Sequence, residues 1–111
     1  ENGLMLAPVK EMVDRDALAQ VADFLLPTEG IEVVITYGVR RSKVILSARS
    51  SSESIHLGKT LSNTFAKGSA GGHKSLAGGQ IPFEELECED GESAMVAVAE
   101  ILRDAFGGEE E

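Results

Sequence analysis

The chain has 111 residues, 42% of them hydrophobic and 26% charged, and a formal net charge of −9. That length accommodates one domain rather than two, and that apolar content supplies a modest core and excludes intrinsic disorder. The single cysteine, Cys88, excludes an internal disulfide and any zinc site built on several cysteines.

Leu4 to Val9 is a short apolar run that predicts a strand, and Pro8, lacking an N–H for the ladder, places it at a sheet edge. Asp14 is expected as an N-cap. Leu18, Val21, Ala22 and Leu25 follow at the i, i+3, i+4, i+7 spacing of an amphipathic helix, closed by Pro27 and Gly30. The β-branched run Ile31 to Tyr37 predicts a buried strand. Gly38 to Lys43 is expected as a basic turn, and Val44 to Arg49 as a second strand forming a hairpin with the first. After the polar loop Ser50-Ser51-Ser52, the apolar positions Leu57, Leu61 and Phe65 predict a short helix from about His56 to Lys67. Gly68, Gly71, Gly72, Gly78 and Gly79 crowd the next segment, before a strand over Gly79 to Phe83. Asp90 and Gly91 introduce a last helix with the core stripe Met95, Val98, Leu102 and Phe106 and a C-cap at Gly107, and Glu109 to Glu111 form a solvated acidic tail. These elements predict a single α/β domain with one mixed sheet of about three to five strands flanked by helices.

No apolar run approaches the ~20 residues that span a bilayer, and no signal-peptide pattern precedes the first element, so a cytoplasmic protein without membrane contact is expected. Cys88 is expected as a buried, inert thiol. The chain opens Glu1-Asn2-Gly3 and is read as an excised piece of a longer polypeptide.

Net charge alone excludes a polyanion partner, but its distribution does not. Arg40, Arg41, Lys43, Arg49, Lys59, Lys67 and Lys74 lie between Gly38 and Gln80, opposed only by Glu53, and both histidines, His56 and His73, fall in the same stretch. Arg40 and Arg41 sit where turn charge is ordinary, with contact to a longer nucleic acid as the minority reading, and Lys59 and Lys67 are read as solvated, the alternative being that they extend a phosphate track. His56 opens a helix and is read as structural. Tyr37 and Phe65 are the only aromatics near this stretch, and Phe65 belongs to the core pattern, so a row of aromatics for stacking single-stranded bases is absent.

The chemistry concentrates in Gly68-Ser69-Ala70-Gly71-Gly72-His73-Lys74-Ser75-Leu76-Ala77-Gly78-Gly79. Glycines let backbone N–H groups approach a ligand, and successive N–H groups form an anion-binding concavity. If His73 to Ala77 forms one helical turn, its positive end faces the Gly71 and Gly72 amides. His73 can donate to a phosphate oxygen, and Lys74 adds a mobile charge. An ordinary glycine-rich turn is the competing reading.

The order of these residues resembles the Gly-Gly-Gly-His-x-x-Ala-Ala-Gly signature of the DHHA1 domain, the C-terminal half of DHH-family, RecJ-like phosphoesterases, with a related domain in alanyl-tRNA synthetases. Ser47-Ala48-Arg49-Ser50 looks like that family's Ser-x-Arg-Ser segment, and Asp23-Phe24-Leu25-Leu26 sits where the family has its first DHHA1 helix. The resemblance covers about Asp14 to Phe106. It implies that Arg49 clamps a substrate phosphate through its planar fork, with Gly71, Gly72, His73 and Lys74 around the same phosphate. Ser47 and Ser50 either donate to it or satisfy local backbone. Ala70 and Leu76 depart from the signature, and Ala70 would strain the loop if its position required a positive φ.

The family hydrolyses phosphoesters with two metal ions, usually Mn²⁺ (or Mg²⁺), held by an N-terminal domain that includes an Asp-His-His motif. No such motif occurs here. The resemblance therefore implies the substrate-binding half without its catalytic half: no catalytic residue, metal or cofactor in this chain, and a DHH catalytic domain elsewhere in the same polypeptide. The expected ligand is a phosphorylated nucleotide or short oligonucleotide. Two alternatives stand beside it: a non-catalytic nucleic-acid-binding module like that of alanyl-tRNA synthetases, and a regulatory domain sensing a small anion.

Overall fold

The strand pair Val33–Arg40 (β2) and Lys43–Ser50 (β3) forms the centre of the sheet, because almost every residue along both strands is buried. Such strands must be covered on both faces. The computed structural model of the chain describes residues 3–10 and 14–107. Among these, β1 (Leu4–Pro8) pairs parallel to β2, and Leu76–Pro82 (β5) pairs antiparallel to β3, with the short Ala70–Gly72 (β4) at the far edge. The order β1-β2-β3-β5-β4 makes one mixed five-stranded sheet, the expected α/β class. Pro8 ends the edge strand β1, as its missing donor requires.

Three helices cover the sheet. Arg15–Leu25 (α1) is capped by Asp14, whose carboxylate accepts the Ala17 N–H at 2.8 Å. It lies on one face, burying Leu18 and Ala22, and the buried Thr36 hydroxyl donates to the Leu18 carbonyl at 2.7 Å. Leu57–Thr64 (α2) and Gly91–Phe106 (α3) share the opposite face, where Leu57, Leu61 and Phe65 meet Leu46, Ala48, Val98 and Leu102 in the main core. A 3-10 turn, Phe83–Leu86, leads out of β5. Among the described residues no helix is long and apolar enough to cross a membrane.

Several boundaries move. The basic turn expected over Gly38 to Lys43 shrinks to Arg41 and Ser42, since the ladder continues until Arg40 faces Lys43. The helix expected to reach Lys67 stops at Thr64. Tyr37 is a core residue, 5% exposed, and burial pushes its phenol pKa up against the opposing pull of Arg103. Cys88 is only half-buried, its thiol donating to the Leu86 carbonyl at 3.4 Å. The acidic tail over Glu109 to Glu111 lies outside the described residues.

Asp90 caps α3, accepting the Ser93 N–H at 2.8 Å, and this bond holds its carboxyl below the usual carboxylate range. A lowered folded-state pKa means the cap's contribution is present above the unfolded pKa of about 4 and is lost as pH falls through the folded value. Asp90→Asn keeps a cap acceptor without the titration. Thermal melts from pH 6 downward are expected to show the wild type losing Tm relative to Asp90→Asn below about pH 4; parallel curves would remove the assignment.

Candidate functional site

The glycine-rich stretch is a β-hairpin. Ala70, Gly71 and Gly72 pair with Gly79, Gly78 and Ala77, and His73-Lys74-Ser75 turns the chain, closed by the His73 N–H donating to the Leu76 carbonyl at 2.9 Å. The helical turn expected over His73 to Ala77 does not form. Leu76 and Ala77 already pair with Arg49 and Ala48 of β3, which commits their backbone to the sheet.

The end of α2 holds this turn in place. The Leu57 N–H donates to the Lys74 carbonyl at 2.8 Å, and the Gly58 N–H donates to the His73 carbonyl at 2.9 Å. His56 is the N-cap, its Nδ1 accepting the Lys59 N–H at 3.1 Å, which bears out its structural reading. Three N–H groups that the start of a helix leaves without partners are thus satisfied internally. In a trans peptide the C=O and the following N–H point in opposite directions. With the His73 and Lys74 carbonyls turned toward α2, the N–H groups of Lys74 and Ser75 point away from it. Neither has an acceptor among the described residues.

Two glycines make the approach possible. A Cβ on Gly58 would collide with the backbone carbonyl of Gly72. Gly72 has φ +144, and a Cβ there would lie 2.7 Å from the Ala77 Cα. Gly58 was invisible in sequence, since it stands outside the glycine cluster. Ala70 does not have a positive φ, and its side chain packs into the core, so the departure there from the signature is accommodated.

Arg49 lies beside the turn. It faces Leu76 across the ladder, and the next residue, Ser50, donates its N–H to the Ser75 carbonyl at 3.1 Å. The guanidinium is fixed: Nε donates to the Asp23 carboxylate at 2.8 Å and Nη1 to the Ala48 carbonyl at 3.0 Å. The Arg49 side chain is 13% exposed and that of Asp23 63%. Asp23, noticed in sequence only as part of a helix, is therefore a positioning residue for Arg49. Ser50 is buried, and its hydroxyl accepts the Ser52 N–H at 3.0 Å, the local backbone role. Ser47 is buried farther along β3, opposite Gly78. His73 and Lys74 are exposed at the turn, whereas Gly71 and Gly72 lie in β4 itself. Leu76 is an exposed apolar side chain directly beside Arg49.

An open cavity of about 720 Å³ adjoins the hairpin, lined by Gly71, Gly78, Arg15, Lys43 and Lys67 among others; it reaches neither Arg49 nor His73. Among the described residues no three His, Cys, Asp or Glu side chains are placed to hold a metal ion.

A family model described as the DHHA1 domain matches residues 1–104. An uncharacterized protein of Methanocaldococcus jannaschii is 34% identical over 104 residues, covering 93% of this chain and 21% of the relative, so the chain spans about a fifth of that protein's length. Among solved structures, the C-Ala domain of Aquifex aeolicus alanyl-tRNA synthetase has a similar fold, with a TM-score of 0.63 at 23% identity, covering 89% of each chain. An exopolyphosphatase-related protein from Bacteroides fragilis gives 0.66 at 13% identity, over 93% of this chain and 29% of that one. A pGpG-specific phosphodiesterase from Vibrio cholerae gives 0.52 at 14%, over 94% and 34%.

Proposed function

The chain belongs to the DHHA1 domain family, and we propose that it is the substrate-recognition part of a larger DHH-type phosphoesterase, holding the terminal phosphate of a nucleotide or short oligonucleotide. One juxtaposition carries the reading: the unpartnered Lys74 and Ser75 amides stand beside a half-buried, pre-oriented Arg49. Two adjacent amides pointing the same way make a concavity for an oxyanion. Arg49 has five N–H donors and spends two on Asp23 and Ala48, leaving the rest of its fork for phosphate oxygens.

In this arrangement Arg49 binds and orients the phosphate, the Lys74 and Ser75 N–H groups donate to its second edge, and the His73 and Lys74 side chains close over it. Gly71 and Gly72 keep the strand beneath free of side chains, while Ser47 and Ser50 fix the end of β3. The energetic role is positioning: a phosphate held in one orientation presents its ester to an attacking group at low entropic cost. The metal ions and the attack belong to a catalytic domain in the same polypeptide, for which the relatives' greater lengths leave room. The phosphodiesterase activity named for the Vibrio cholerae protein supports this reading.

The C-Ala match, which covers most of both chains, favours a second reading as a non-catalytic nucleic-acid-binding module. That reading expects affinity to persist when the terminal phosphate is removed. Calorimetric titration of the chain with a 5′-phosphorylated dinucleotide and its dephosphorylated form separates the two. His73→Ala is expected to weaken the phosphorylated ligand about tenfold or more, since one hydrogen bond to a charged group is worth about 1.5–3 kcal/mol. Equal binding of both ligands by wild type, with no effect of the substitution, would overturn the terminal-phosphate reading.

A further inference from the structure

The sheet face that carries Arg49 has a second cationic end. Side chains at Lys43, Ile45, Ser47 and Arg49 share one face of β3, because alternate residues of a strand point the same way. At the Lys43 end, a cavity of about 350 Å³ is lined by Arg15, Arg40, Arg41, Lys43 and Gln80, with Asp14 and Ile45 also on its wall. It shares Arg15, Lys43 and Gln80 with the larger cavity floored by Gly71 and Gly78. We infer that this end is a second phosphate subsite, which takes the backbone of a single-stranded oligonucleotide whose terminal phosphate sits at Arg49; the inference rests on the terminal-phosphate reading above.

Three observations favour it. Among the described residues the ion pair of Arg49 with Asp23 stands alone, so Arg15, Arg40, Arg41, Lys43 and Lys67 keep their donors unpaired in a protein of net charge −9. The acidic neighbour Asp14 is committed to capping α1. Glu84 and Glu85 also line the larger cavity, and their charge disfavours an anionic chain near them relative to Arg15, Lys43 and Lys67. Second, Arg41 occupies the two-residue turn with φ +60, a conformation that glycine adopts without strain. Strain kept at a side-chain-bearing residue points to use of that side chain.

Third, the spacing fits a polymer. Arg15 and Asp23 lie eight residues apart on α1, about 12 Å at 1.5 Å per residue. Leu76, opposite Arg49, and Pro82, opposite Lys43, are six residues apart on β5, about 20 Å. At about 3.4 Å per phosphate of a stacked strand, the two ends are roughly four to six nucleotides apart. A dinucleotide fills the Arg49 end alone, and a longer chain reaches both.

The test is titration of the 111-residue chain with 5′-phosphorylated dinucleotides and octanucleotides, DNA and RNA in parallel, at several salt concentrations. Wild type is expected to bind the octamer at least tenfold more tightly. The triple variant Arg40→Gln, Arg41→Gly, Lys43→Gln is expected to lose that advantage, leave the dinucleotide affinity unchanged, and reduce the octamer's salt slope by about 2, at roughly 0.7 per phosphate contact. Arg41→Gly relieves strain, so a folded protein is expected, and the unchanged dinucleotide affinity verifies it. Equal affinity for both lengths, or an octamer affinity untouched in the triple variant, would overturn the second subsite. Octamer binding that needs Arg40, Arg41 and Lys43 but not Arg49 would instead overturn the terminal-phosphate reading and uphold the second subsite.

Discussion

Replacing Gly58 by alanine is expected to destabilise the domain by about 3 kcal/mol and to abolish tight binding of a phosphorylated dinucleotide. The added Cβ meets the Gly72 carbonyl, a backbone group with no rotamer to yield. Relief requires α2 to part from the β4–β5 turn, which breaks the Leu57-to-Lys74 and Gly58-to-His73 hydrogen bonds. Overpacking costs about 1–3 kcal/mol and each of the two lost bonds about 0.5–1.5 kcal/mol, and partial relaxation of the turn keeps the total in the lower half of that range. For a domain of this size each kcal/mol shifts Tm by about 4–8 °C, and a fall of more than 10 °C is expected in a circular-dichroism melt. Binding falls as well, because the Lys74 and Ser75 amides lose the carbonyl anchors that aim them. A Gly58→Ala protein with wild-type Tm would show that the turn and the helix end are not locked together.

Arg49→Ala is the complementary case: a large loss of affinity with little loss of stability. Its partner Asp23 is mostly exposed, and an ion pair with one solvated member contributes at most about 1 kcal/mol. The fork's hydrogen bonds to a phosphate are charge-assisted and are worth about 1.5–3 kcal/mol, which corresponds to roughly a 10- to 150-fold weaker Kd. Calorimetry should therefore find the preference for a phosphorylated over a dephosphorylated dinucleotide almost gone, while the melt moves by a few degrees. Arg49→Lys keeps the charge and loses the fork, so an intermediate affinity is expected. A phosphate preference surviving intact in Arg49→Ala would remove Arg49 from the site. The two experiments separate the parts of the proposed site, in which Gly58 would set the shape of the donor turn and Arg49 would supply its charge.

Local chemistry made some of this architecture legible without a structure. Asp14 and Asp90 announce their helices because a carboxylate next to an apolar 3.6-residue stripe has one obvious use, satisfying N–H groups at a helix start. The β2–β3 hairpin is evident from two β-branched runs with a short polar break. Arg49 and the Gly71-Gly72-His73 segment are legible through motif order, and the sheet brings Arg49 beside the turn that follows Gly72.

Other features depend on partners distant in sequence. Whether His73 to Ala77 coils or extends is decided by β3, whose Ala48 and Arg49 offer a ladder that the isolated segment cannot see. Cationic residues over Gly38 to Gln80 are plain in the sequence, but their division between an Arg49 end and a Lys43 end follows from the antiparallel register. Gly58 carries no local signal, and Asp23 shows in sequence only as part of a helix. Each matters through one atom of a residue 14 or 26 positions away, the Gly72 carbonyl and the Arg49 Nε.

By itself, then, the sequence determined an acidic single α/β domain, its capped helices, and a basic stretch with a glycine-histidine turn. These follow from composition and from contacts within a few residues. Only the tertiary structure decided that the turn's carbonyls face α2, that the Lys74 and Ser75 amides thereby point away from it, and that Asp23 holds Arg49 beside them. A peptide group's direction depends on which distant donor claims its oxygen, and chain order does not encode that choice locally.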